Sequence, residues 1–258
     1  MAFLINGNRE NNIEEIVIKS PHYDTKKYYK ILVKAEALRL NSMFQESVKH
    51  YLAALMIERN NIQIYIGLAQ SYVHLDKLDK AIEILEKAKS IEPSNANIPY
   101  EIGCCFMRMG LPCVAIVNQK EAILLDKENI NAQLQLAVAH ELMNEYEMAL
   151  MVYQRIIDVH PSFLNAYQHK AALLVELHRY QEAAAIFAEL IKINPQYYKA
   201  YLGIGICFDK MDKITSAVRY YKKFLSMKPN SKNAPDVRAR LEKIYDERDC
   251  EANFLKLT

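Results

Sequence analysis

Pro93, Pro161, Pro195 and Pro229 are spaced by multiples of 34 residues, and Arg59 and Lys127 stand where the same ruler falls without a proline. A period this strict describes an array of repeats. Each repeat is one small supersecondary unit that hides its apolar face only by stacking on its neighbours, so the fold is quasi-one-dimensional and its product is extended surface.

Set out at that period, residues 28–231 give six units: 28–61, 62–95, 96–129, 130–163, 164–197 and 198–231. Counting each unit from one, place 8 reads Ala35, Ala69, Gly103, Ala137, Ala171 and Gly205, and place 20 reads Ser47, Ala81, Ala115, Ala149, Ala183 and Ala217. Every one is small. Place 11 (Leu38, Tyr72, Phe106, His140, Leu174, Phe208) and place 24 (Tyr51, Leu85, Gln119, Tyr153, Phe187, Tyr221) are mostly large. Small residues at fixed places let helix backbones approach, and large ones fill the groove between them.

Places 4, 7, 8 and 11 follow the spacing of one helical face, and places 17, 20, 24 and 27 repeat it. The polar stretches Asp76-Lys77, Gly110, Asn144-Glu145 and Asp212-Lys213 lie between the two. They suit short connections. Proline at place 32 ends the second helix, since it has no N–H and disfavours helical geometry in the residue before it. The unit is therefore a pair of antiparallel helices, each about 14 residues or roughly 21 Å long.

These columns resemble the tetratricopeptide repeat (TPR) family, over 204 of 258 residues. The resemblance implies an all-α, right-handed superhelical solenoid whose first helices line a concave groove; it implies no activity. The pattern is weakest in units three and four, where Pro99 and Gln133 occupy place 4 and Gln119 and His140 replace large apolar residues. A looser seam is an expectation there. Pro99 fits a first helical turn, and Pro112 is placed to start a second helix after Gly110.

By the same resemblance, places 2, 5, 9 and 12 of each first helix face the groove. Place 2 supplies Asn97, Asn131, Asn165 and Lys199; place 5 supplies Ile66, Tyr100, Leu134, Gln168 and Leu202. Place 9 adds Gln70, Cys104, Val138 and Ala172, and place 12 adds Met107. The three asparagines read either as an amide ladder for an extended peptide or as local helix-start caps. The wall is expected to be substantially apolar, with Glu141, Glu176 and Asp209 as an acidic margin. The clamp with which some TPR proteins grip a C-terminal carboxylate is not matched: the corresponding places hold Ile66, Gln70, Glu101, Asn131 and Gln135.

Net charge is +2, with Lys and Arg scattered through the units, which disfavours nucleic acid as a ligand. Apolar content of 51% and a mean hydropathy of −0.15 describe a globular array. No run approaches the length of a membrane span, and Met1-Ala2-Phe3-Leu4-Ile5 is too short for a secretory core. Five cysteines (Cys104, Cys105, Cys113, Cys207, Cys250) form no C-x-x-C pair, which fits a reducing, cytoplasmic setting. Cys104, Cys105 and His140 offer too few donors for a metal site and read better as interior residues.

No H-E-x-x-H, P-loop or G-x-S-x-G occurs, and the 27 residues at each end are too few for a catalytic domain. No enzyme activity, metal or cofactor is expected. The expected organisation is an extension over 1–27, partly helical around Ile13, Ile16 and Val17, then the six units, then a capping helix and tail over 232–258. The extension is a candidate ligand for the groove of its own or a second chain, which would make the terminal segments a route to a homo-oligomer. The leading functional expectation is a protein–protein adaptor or scaffold that takes a peptide or amphipathic segment in its groove. A chaperone-like holdase for exported or membrane subunits comes second and a single-stranded RNA binder third.

Overall fold

The computed structural model describes residues 25–254; the expectations for the N-terminal extension lie outside them. Thirteen helices follow one another among those residues, with no strand. They divide into two compact units at Asn129/Ile130, the boundary between the third and fourth repeats.

The first unit holds α1 (Thr25–Leu40), α2 (Phe44–Leu55), α3 (Ile62–His74), α4 (Leu78–Ile91), α5 (Asn97–Arg108) and α6 (Pro112–Leu125). The second holds α7 (Ile130–Leu142), α8 (Tyr146–Val159), α9 (Leu164–Glu176), α10 (Tyr180–Ile193), α11 (Tyr198–Lys210), α12 (Ile214–Met227) and α13 (Ala234–Phe254). Within each unit consecutive helices pack on one another, and α1 also touches α3. The fold class is all-α, of TPR-type helix pairs.

The corner inside every pair has one geometry. Ser42, Asp76, Asn144, His178 and Asp212 have φ between 58 and 61°, and Gly110 has φ of 73°. All six stand at place 15. The next residue's N–H then reaches back five residues: Met43 to the Leu38 carbonyl at 2.8 Å, Lys77 to Tyr72 at 2.9 Å, Glu145 to His140 at 2.9 Å, and likewise in the others. This left-handed C-terminal cap satisfies carbonyls that the helix end would leave open. At the other corner the second helices stop before place 32, as at Ile91, with Glu92 as C-cap and Pro93 beyond it. Pro112 is the first residue of α6, and Pro99 lies in the first turn of α5.

The columns of small residues are where helices meet. The place 8 and place 20 alanines are at most 1% exposed, and Tyr51, Tyr153 and Phe224 are fully buried among them. Closest approach explains particular glycines: a Cβ on Gly67 would lie 2.4 Å from the Tyr51 ring, and one on Gly203 would lie 2.4 Å from Phe187. In each case the large place 24 residue of one repeat crosses the backbone of the next. The last helix, α13, buries Val237, Leu241 and Ile244, the first two against Ala217, Tyr221 and Phe224.

Candidate functional site

Places 2, 5, 9 and 12 fall on α3 and α5 in the first unit and on α7, α9 and α11 in the second. Ile66, Gln70, Tyr100, Cys104 and Met107 are half-buried and Asn97 is exposed. In the second unit Val138, Gln168 and Leu202 are half-buried, Asn131, Asn165, Ala172 and Lys199 are exposed, and Leu134 is 8% exposed. Leu134 is therefore a core residue more than a wall residue. It stands in the cluster with Tyr153 and Ile157.

The asparagines of place 2 sit one or two residues inside their helices. Capping falls to others: the Asn61 side chain accepts from the Gln63 N–H at 3.0 Å, and Asn95 accepts from the Asn97 N–H at 3.1 Å. In α5, then, the cap is Asn95 and not Asn97.

Polar pairs break up the expected apolar wall. Gln70 Nε2 donates to Glu101 at 2.6 Å between adjacent first helices. Burial holds the Glu101 carboxyl above the usual range, against the opposing effects of the Gln70 hydrogen bond and the Arg39 charge. Glu36 accepts from both Arg39 and the Tyr51 hydroxyl. Its carboxyl is lowered, chiefly by the Arg39 hydrogen bond. The Tyr153 hydroxyl donates to Glu141 at 2.9 Å and the Tyr221 hydroxyl to Asp209 at 3.0 Å. Two members of the acidic margin are therefore engaged by tyrosines of their own repeats. Asp209 is also gripped by Arg240 of α13, at 2.7 and 2.9 Å. Gln168 accepts from the Tyr197 hydroxyl, and Lys170 donates to Gln154.

Burial pushes the Cys104 thiol up to about 11, that of Cys105 to about 12 and that of Cys207 to about 11. They are thiols, unsuited to act as thiolate ligands or nucleophiles near neutrality. Gln119 approaches the Cys104 sulfur at 3.9 Å and donates to the Tyr100 carbonyl at 3.2 Å, so it bridges the two helices of its pair where other repeats use a large apolar group or a tyrosine. His140 is 5% exposed with Nδ1 paired to Glu145. Among the described residues, no three His, Cys, Asp or Glu side chains are grouped to hold a metal ion.

One surface escaped the column reading. α6 carries apolar residues all round, and Val117 and Leu124 are 65% and 77% exposed. Their places, 22 and 29, lie on a second helix.

A family model described as Intraflagellar transport protein 56 matches residues 64–258. The chain belongs to this family. Among solved structures, the fold of this intraflagellar transport protein 56 relative is similar to that of PilW, a "widely conserved type IV pilus biogenesis factor". That match has a TM-score of 0.69 and 18% identity over 84% of this chain and 99% of PilW. MamA matches at a TM-score of 0.57 with 25% identity over 63% of this chain and 95% of MamA. YrrB, described as "a TPR protein with an unusual peptide-binding site", matches at 0.57 with 18% identity over 73% of this chain and 97% of its own. At 18% identity PilW and YrrB speak to the fold alone. No curated protein matches significantly.

The TPR resemblance seen in the columns thus holds at the level of fold. An array of this kind is an interaction scaffold whose partners are proteins. Among the described residues, no helix is long and apolar enough to cross a membrane.

Proposed function

We propose that this member of the intraflagellar transport protein 56 family is a non-enzymatic scaffold that holds a segment of another intraflagellar transport protein on the first helices of its repeats. The observation carrying this reading is that first helices leave half-buried apolar side chains at these places: Ile66 and Tyr100 at place 5 in one unit, and Val138 at place 9 and Leu202 at place 5 in the other. Exposed Asn97, Asn131 and Asn165 lie three residues before such places or their equivalents, and their amides can donate to and accept from an extended backbone. Half-buried apolar anchors flanked by amides suit a segment with apolar side chains at intervals. At the third repeat, where a carboxylate clamp would stand, Glu101 is the acid paired to Gln70. A ligand ending in a free carboxylate would meet a like charge there.

Leu134 is a poor probe, because a charge at a buried position would unfold its repeat. Asn165→Arg with Ala172→Arg changes exposed positions only. In a pull-down from the native host, the double variant should lose its intraflagellar transport partner while keeping its helical circular dichroism. Full retention of the partner would refute the first-helix face as the binding site. Recovery of many unrelated clients in place of one partner would favour the holdase reading.

A further inference from the structure

The second unit has a concavity away from places 2, 5, 9 and 12. It is a cavity of about 640 Å³ lined by residues of α10, α11 and α12. Its floor includes Ile191 and Ile204, and Arg219, Lys222 and Lys223 stand on the α12 side. Positions 219, 222 and 223 have the i, i+3, i+4 spacing that puts three cations on one helical face. No Asp or Glu is among the described lining residues, and among the described residues none of the three cations is ion-paired. Lys223 Nζ lies 6.0 Å over the Tyr201 ring, another lining residue. The volume lies within the range of sites that enclose a large side chain or a small ligand, roughly 300–1,000 Å³.

We infer that this cavity is a second docking site, for a protein segment in which an aromatic or large aliphatic side chain is flanked by carboxylates. The apolar floor seats the anchor, while Arg219, Lys222 and Lys223 meet the acidic flanks; Lys222 also lies 5.5 Å over the Tyr245 ring of α13, but cations with no carboxylate partner beside an apolar recess specify the opposite charge on the ligand. A nucleic acid fits less well. From Arg219 to Lys223 is four helical residues, about 6 Å of axis, which spans little of a phosphate backbone and forms no track. The site is independent of the first-helix face, so either can fail without the other.

The test is fluorescence anisotropy on the full chain with three labelled heptapeptides: a Phe flanked by three Glu on each side, the same peptide with Gly for Phe, and the Phe flanked by Lys. The acidic Phe peptide should bind. Affinity should fall at least about tenfold with Gly for Phe, with Lys for Glu, and in the R219E/K222E/K223E variant, whose substituted side chains are exposed enough to leave its circular dichroism unchanged. The groove variant Asn165→Arg/Ala172→Arg should bind the peptide normally. Equal binding by the triple variant, or indifference to loss of the Phe, overturns the proposal. So does a single-stranded oligonucleotide or a phosphatidylserine vesicle that binds through the three cations in preference to the peptide.

Discussion

The Tyr153 hydroxyl reaches from a second helix to the Glu141 carboxylate of its own first helix, 2.9 Å away, while the Tyr153 ring remains fully buried. Tyr221 and Asp209 repeat the arrangement two units on. Tyr153→Phe keeps the ring and deletes the bond. Since Glu141 is half-exposed and can recover water, the loss should be about 1 kcal/mol, read from chemical denaturation. A loss near zero would mean that the bond is fully exchanged for hydration.

Glu101 offers a test with a pH signature. Its folded pKa is raised, chiefly by burial, so above that pKa the folded state carries the cost of a desolvated charge. Below the unfolded value of about 4.3 both states are neutral and the cost vanishes. Glu101→Gln, which keeps an acceptor for Gln70, should therefore stabilise the chain at pH 7. The gain should shrink as pH falls through the folded pKa towards the unfolded one. A pH-independent gain in thermal unfolding would contradict this assignment.

Asp209 has the opposite sign. The Arg240 hydrogen bond, followed by that of Tyr221, lowers its pKa against the effect of burial. The pair's contribution is present above the unfolded aspartate value of about 3.9 and is lost as pH falls through the folded pKa. Asp209→Asn should weaken the hold on α13 at neutral pH and remove part of the acid sensitivity. Hydrogen exchange over 234–247 is the measurement, and unchanged protection at pH 7 would count against the link.

Ser42 holds a left-handed conformation, with φ of 61°, that glycine adopts more easily. Ser42→Gly should stabilise by up to about 1 kcal/mol, and Gly110→Ala should cost about as much. His178 is a less clean site, because its Nδ1 also bonds the Tyr180 hydroxyl at 2.7 Å. Matched urea titrations of the two variants would decide, and shifts of the same sign in both would refute the argument.

Gly67 is held by contact rather than by dihedral angle. A Cβ there would meet the Tyr51 ring at 2.4 Å, and that ring is fully buried. Gly67→Ala should cost roughly 1–3 kcal/mol, part of which Tyr51→Leu should restore by making room. Additive losses in the double variant would show that the two do not compete for the same space.

The period, the helix pairs and the proline stops were legible because each is written in residue type at fixed spacing. The corner geometry was legible at Asp76, Gly110, Asn144 and Asp212, whose side chains favour turns; it was hidden at Ser42 and His178, where position alone imposes the conformation. The polar pairs along the wall, such as Tyr153 with Glu141, were hidden because they show only when columns are read together. Read together, tyrosine at place 24 goes with a charge at place 12 (Tyr51 with Arg39, Tyr153 with Glu141, Tyr221 with Asp209). Leu85, Gln119 and Phe187 go instead with Val73, Met107 and Val175. The α10–α12 cavity was missed for a different reason: its three cations belong to one helix, but the recess beside them is made by two others.

Six corners of one handedness also govern how such a chain changes length over generations. A single inserted residue within a helix rotates everything after it on that helix by about 100°, carrying core side chains to the outside. A duplicated or excised hairpin introduces no new kind of joint. Length changes that keep the core in register therefore come in steps of 34.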